Sequence, residues 1–364
     1  MIINIINKDS RASYFLDLIR FLMALIVVLF HMGIEILPGY NAVMVFFVLS
    51  GYFISSNISK KMINNTFSWK EYLLERLVRL YIVLIPSLFL GFLLIYIDIQ
   101  WFGNENKYMG YLNLNLLVND ILYLQFLDTK MFAYNGPLWS LAYEFWFYLL
   151  FPSIMSIFYY KDLKIKILFV GISVSIFIFT FKMQAYFLIW LLGVIPVVIH
   201  LNPFFIKNIK ILNRISLAIF LFSLSLLYYN YNTNHIASIE NHYFYSLFVA
   251  IATSLFIITL LGRFNNVKAK GTFFNLIRIG SASSFSMYLL HYPLLHFMAD
   301  LKTYIEISIG FHYFIFSVVW YLLILISIIV YSYMVSLVTE AKTVNVKLFL
   351  ASKLKKVSMF KETK

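Results

Sequence analysis

Arg20 and His31 lie eleven residues apart in a stretch that is otherwise almost wholly apolar, Tyr14-Phe15-Leu16-Asp17-Leu18-Ile19-Arg20-Phe21-Leu22-Met23-Ala24-Leu25-Ile26-Val27-Val28-Leu29-Phe30-His31. On a helix that spacing is three turns plus roughly 20°, so the two side chains share one face, about 16 Å apart along the axis. A charged or titratable group in a membrane helix is costly unless it faces a bundle interior or a wet cavity, and it marks function by default. The guanidinium would anchor an anion and the imidazole, three turns on, would exchange protons. Asp17 stands one turn before Arg20, and Glu35 one turn beyond His31. The structural alternative is that Asp17 neutralises Arg20 and His31 only hydrogen-bonds a neighbouring helix.

Three further groupings could carry chemistry. Arg76 and Arg79, at i,i+3, offer forked and permanently charged donors suited to phosphate, although arginines at a membrane boundary also contact headgroups or fix topology. In Asn135-Gly136-Pro137-Leu138-Trp139-Ser140-Leu141-Ala142-Tyr143-Glu144-Phe145-Trp146-Phe147-Tyr148 the proline marks a helix start, and Trp139 fits the interfacial aromatic belt. Ser140, Glu144 and Tyr148 then form a polar stripe, with Glu144 about two turns deep. At that depth Glu144 is expected to be protonated or paired with a cation such as Arg20 or an imidazolium. In Ser281-Ala282-Ser283-Ser284-Phe285-Ser286-Met287-Tyr288-Leu289-Leu290-His291-Tyr292-Pro293, the side chains of Ser284, Tyr288 and His291 stack on one face. Pro293 frees backbone carbonyls for other partners, while the serines also permit close helix packing.

The elements that must hold these residues are membrane helices. The chain is 62% apolar, 20% aromatic and 12% charged, against about one quarter charged in ordinary soluble domains. Ten spans are expected, near 14–33, 40–57, 80–97, 136–159, 165–181, 184–200, 215–231, 242–262, 281–299 and 311–337, each near the length that crosses roughly 30 Å of hydrocarbon. With the N-terminus inside, 24 of the 29 Lys and Arg fall on inner segments, as the positive-inside rule requires. Both termini are then cytoplasmic. The first span, interrupted by Asp17 and Arg20 and followed by no small-x-small site, is not a cleavable signal peptide. The segment 60–79 reads as an amphipathic interfacial helix. The expected organisation is one membrane domain over 1–340 and a basic cytoplasmic tail over 341–364.

Composition also excludes classes. The formal charge of +13 is an orientation and lipid-contact signal, with membrane lipids as partners and no soluble basic domain for nucleic acid. Without cysteine there is no thiol relay and no cysteine-ligated metal. The seven histidines are scattered, no metal or nucleotide motif is present, and no metal is expected. The Asn-, Ile-, Lys- and Phe-rich composition fits an AT-rich bacterial coding region, so the expected location is the bacterial cytoplasmic membrane.

Arg20 with His31, Phe46-Phe47-Val48-Leu49-Ser50-Gly51-Tyr52, Arg76-Leu77-Val78-Arg79, Gly136-Pro137-Leu138-Trp139-Ser140-Leu141-Ala142-Tyr143-Glu144 and Ser284-Phe285-Ser286-Met287-Tyr288-Leu289-Leu290-His291, in this order, resemble the signatures of the acyltransferase-3 family. Its members are integral membrane O-acyltransferases that modify carbohydrates. The resemblance implies a cytosolic acyl-coenzyme A donor, usually acetyl-coenzyme A, and as acceptor a hydroxyl of a surface glycan or lipid-linked sugar. It also implies that the arginine-histidine pair and the Arg76/Arg79 pair are functional. Two departures stand out. Ala42-Val43-Met44-Val45 replaces a segment that often carries a carboxylate, and Phe145 stands where a second glutamate commonly follows Glu144.

On this reading Arg20, Arg76 and Arg79 hold the donor and His31 is the general base. Glu144 or Asp17 orients the ring or stabilises imidazolium, and Ser50, Trp139, Ser140, Tyr288 and His291 bind substrate. A transient acyl-histidine is the alternative route. The competing class is a multi-span transporter or flippase of a glycan precursor, which would use His31 and Glu144 as relays; no repeats or broken-helix pairs are visible in the sequence. A non-catalytic assembly subunit would leave the arginines and His31 unused.

Overall fold

The computed structural model describes residues 6–34, 39–202, 211, 214–219, 222, 239–309 and 314–362. Among them the secondary structure is helical; no strand forms, and one isolated bridge joins Ser10 to Lys268. The main helices are α1 (Arg11–His31), α2 (Gly39–Ile63), α3 (Trp69–Phe102), α4 (Leu138–Tyr159), α5 (Leu163–Phe179), α6 (Phe181–Leu201), α7 (Ile239–Phe264), α8 (Thr272–Ala282), α9 (Ser284–Ile309), α10 (Phe314–Val338) and α11 (Thr343–Glu362). A helix satisfies its backbone N–H and C=O groups within itself, as lipid demands.

Seven stretches among the described residues are long and apolar enough to cross a membrane: α1, α2, α3, α4, α6, Tyr245–Phe264 and Phe316–Lys353. The chain is therefore an all-helical, multi-pass membrane protein. Two other expected spans exist as helices outside that set. α5 has 17 residues, while α9 carries Asp300, Lys302 and Glu306 in its second half. The expected span 215–231 lies largely outside the described residues, and Glu35 lies outside them as well.

Segment 60–79 differs from its expectation. Residues 60–63 complete α2, and Asn65, with φ 53°, turns the chain. From Trp69 onward the segment is the first part of α3, a single helix of 34 residues. At 1.5 Å per residue that is about 51 Å, well beyond the roughly 30 Å of hydrocarbon, so the basic first turns continue the span rather than lie beside it.

The chain divides into two compact units, Met1–Phe67 with Ser140–Ser281 and Ser68–Trp139 with Ala282–Lys364. In the first, α2 is the central element, buried along most of its length, and it packs closely on α6 through glycines. A Cβ at Gly51 would run into the Trp190 carbonyl oxygen, and one at Gly193 into that of Val48. In the second unit α3, α9 and the turn at 132–134 converge at Gly91, where a Cβ would stand 3.2 Å from that of Ala133 and 3.3 Å from Pro293 Cγ. The basic segment after residue 341 forms α11, and its Lys347 Nζ meets Glu75 Oε1 of α3 at 2.5 Å.

Candidate functional site

In the first unit α1 begins at a Ser10 cap, whose hydroxyl accepts from the Ser13 N–H at 3.2 Å. It ends where Gly33, at φ 88°, adopts the left-handed conformation that a side chain disfavours. The helix between is unbroken, so Arg20 and His31 keep their common face and their separation of about 16 Å. Asp17 Oδ1 lies 3.5 Å from Arg20 Nη1. Ser281 of α8 bridges the pair, donating to Asp17 Oδ1 at 3.2 Å and receiving from Arg20 Nη1 at 3.5 Å. The guanidinium also sits 4.9 Å from the Phe53 ring centroid, a cation–π contact that lets a charge rest among apolar neighbours.

Asp17 is therefore built to hold Arg20. It stands fourteen residues, about 21 Å of helix, from His31, so it does not orient that ring. His31 itself occupies the last helical position of α1, half-buried, with its ring edge-on to Phe30 at 5.4 Å between centroids.

Glu144 forms the second constellation of this unit. Ser50 Oγ donates to its Oε1 at 2.8 Å and the Tyr148 hydroxyl donates to the same oxygen, while Trp190 Nε1 donates to Ser50 Oγ at 3.3 Å. Three helices thus join one hydrogen-bonded network, with α2 and α4 on the carboxylate and α6 on Ser50. The i,i+4 stripe explains Tyr148, and buried Ser140 lies one turn before Glu144. The expected pairing with Arg20 or imidazolium is not what surrounds Glu144; its donors are neutral hydroxyls, and among the described residues it makes no ion pair. Trp190 was not singled out in the sequence. Its signal was Gly193, three residues on, which permits the close approach to α2 beside Ser50-Gly51.

In the second unit Arg76 and Arg79 lie on successive turns near the start of α3. Arg76 Nη2 is 3.9 Å from Glu75 Oε2, and its guanidinium is 5.7 Å from the Tyr72 ring centroid, whereas Arg79 is exposed. Glu75 in turn binds Lys347, leaving this end of α3 with more positive than negative charge.

Trp139, Tyr288 and His291 belong to the second unit too. Trp139 is half-buried at the start of α4. Pro293 has no N–H, so the carbonyl four residues before it, Leu289, has no intrahelical donor. Asn135 Nδ2 supplies one at 2.8 Å. The Tyr288 hydroxyl reciprocates by donating to the Pro137 carbonyl at 3.2 Å. The Asn135-Gly136-Pro137 turn and the Tyr288–Pro293 stretch are thus clasped twice. His291 is fully buried, with Nδ1 2.8 Å from the Tyr288 carbonyl and 3.1 Å from that of Met287. Two acceptors at Nδ1 place the proton there, and a neutral ring then keeps its lone pair on Nε2. Asn135 was only part of a motif in the sequence; the unpaired carbonyl that any proline leaves was the available signal.

The segment between α3 and α4 carries a buried acid. Asp120 Oδ2 accepts from the Phe132 N–H at 2.9 Å. Burial pushes its carboxyl up to about 7, partly countered by that N–H.

A profile of the acyltransferase-3 family, described as an acyltransferase domain, matches residues 13–337. A protein of Haemophilus influenzae, described as uncharacterized, is 31% identical over 134 residues, which is 35% of this chain and 53% of that protein. The chain thus spans about half the length of this relative. No solved structure matches.

Proposed function

Because this chain belongs to the acyltransferase-3 family, we propose that it is an O-acyltransferase that moves an acetyl group from acetyl-coenzyme A to a hydroxyl of a cell-surface or lipid-linked glycan. The protein would sit in a bacterial cytoplasmic membrane with both termini and the basic loops inside, against anionic headgroups. The observation that carries the reading is the unbroken α1, with a held but not buried guanidinium at its middle and a half-buried imidazole at its last position. The phosphates of coenzyme A cannot enter lipid, whereas its thioester hangs on a long neutral arm. Arg79, exposed at the start of α3, and Arg76 and Arg20 would hold the anionic end. Among the described residues Arg79 has no ion pair to break before its fork meets a phosphate oxygen pair. The arm would follow the α1 face toward His31.

At that end a sugar hydroxyl oxygen attacks the thioester carbonyl. A C–O bond forms, the C–S bond breaks, His31 takes the hydroxyl proton and the departing thiolate receives it. Glu144, held by Ser50 and Tyr148, would bind the acceptor or stabilise charge developing nearby; Ser140, Trp139, Tyr288 and His291 are further substrate contacts on this reading. The test is thioester consumption by purified protein in a bilayer. Acceptor-dependent release of free coenzyme A with an acylated product supports the enzyme. Labelled glycan that crosses vesicles unacylated, with no coenzyme A released, supports a transporter instead.

A further inference from the structure

The turn at 132–134 places two successive non-glycine residues in the left-handed region, Ala133 at φ 54° and Tyr134 at φ 53°. Such backbone persists only where its surroundings over-determine it, and it is a pointer to function. It is pinned on both sides, by Asp120 on the Phe132 N–H and by Asn135 on the Leu289 carbonyl. The consequence is the position of one ring. Tyr134 meets Tyr111 at 4.6 Å, His296 at 4.7 Å, Tyr108 at 5.2 Å and Tyr292 at 5.8 Å between centroids. A packing core needs only apolar faces, yet every ring here carries a hydrogen-bonding atom, and all but Tyr108 are partly exposed.

Half-exposed aromatic rings with polar tips suit a pyranose, whose C–H face lies on a ring while its hydroxyls bond the rim. The cations around the cluster refine the class. Lys107 is neutralised by Asp300 at 2.7 Å, and Lys302 by Glu306 at 3.0 Å. Lys130 is exposed, with Nζ 5.0 Å from the Tyr111 centroid, and among the described residues no carboxylate pairs with it. Resting on the reading that the acceptor is a glycan, we propose that the Tyr134-centred cluster is its binding platform and that the sugar bound there is acidic, its anionic group meeting Lys130.

The probe is calorimetry on the full chain in nanodiscs with trigalacturonate and, as a neutral sugar of equal length, maltotriose. We expect trigalacturonate to bind about tenfold more tightly, the worth of one charge-assisted contact. Lys130→Gln should erase that preference and leave maltotriose unchanged. Tyr134→Gly, which relieves the positive φ while deleting the ring, should lower affinity for both sugars without loss of thermal stability. Equal affinity for the two sugars, or a preference that survives Lys130→Gln, overturns the acidic assignment; no sugar binding, or binding that survives Tyr134→Gly, overturns the platform. Coenzyme A binding measured on the same samples separates the two readings. Intact donor binding without sugar binding sinks only the platform, whereas sugar binding by a protein that never releases coenzyme A sinks only the acyl transfer.

Discussion

His31 closes α1, while Asp17 binds Arg20 and Ser281, and Glu144 binds Ser50 and Tyr148. As the base of the proposed transfer, His31 acts on the reacting atoms, so its removal should cost the chemistry and spare the scaffold. His31→Ala is expected to lower the transfer rate by roughly 10²–10⁴-fold, the usual worth of general acid–base catalysis, with coenzyme A affinity unchanged. Near-normal single-turnover transfer in that variant would remove the base assignment. The arginines should separate from it kinetically. Arg79→Ala should weaken coenzyme A binding by about 1.5–3 kcal/mol, and Arg79→Lys should restore only part, since an ammonium cannot make the fork. Arg76→Ala should cost less, because Arg76 already spends charge on Glu75. A titration in which all three variants bind coenzyme A as tightly as the parent would return these residues to a topological role.

Helices were legible in the sequence because hydropathy and caps are local properties, and the i,i+4 stripe correctly joined Glu144 to Tyr148. What stayed hidden was set by contacts distant in sequence. Trp190 reaches Ser50 because Gly51 and Gly193 remove the Cβ atoms that would hold α2 and α6 apart. Gly51→Ala should therefore force the two backbones apart, break the Trp190–Ser50 hydrogen bond and destabilise the protein by about 1–3 kcal/mol. Gly171→Ala in α5, with open space around it, serves as the control and should be neutral or slightly stabilising. Equal melting temperatures for the two variants would show that the close approach is not under strain. The turn at 132–134 offers a pH readout. Asp120 stays protonated to about 7 when folded, but ionises near 3.9 in an unfolded chain. Between those values the folded state holds the extra proton, so stability falls as pH rises through the window and levels off above it. Asp120→Asn, which keeps an acceptor for Phe132, should flatten the melting temperature between pH 5 and 8. A variant whose melting profile still falls in parallel with the parent would assign the titration to another group.

The candidate residues are divided between the two units: Arg20, His31 and the Glu144 network belong to one, and Arg76, Arg79 and His291 to the other. The sequence could not reveal this division, since α4 opens in one unit and continues in the other, and α8 hands over to α9 without a linker. Sidedness is the property that concerns the whole molecule. In the orientation proposed above, Arg20, Arg76 and Arg79 face the cytoplasm and His31 lies toward the opposite end of α1. Donor and acceptor should then approach from opposite faces of the bilayer, with only the neutral pantetheine arm and acyl group entering hydrocarbon. In oriented vesicles, acetyl-coenzyme A supplied on the cytoplasmic side should acetylate a glycan confined to the other side, and free coenzyme A should accumulate where the donor was added. The same vesicles with both substrates on the cytoplasmic side should give little product. If product forms only when the two share that compartment, the chemistry lies at the inner face, His31 is too distant to be its base, and one of the arginine-bearing turns must supply the reacting group's neighbour instead.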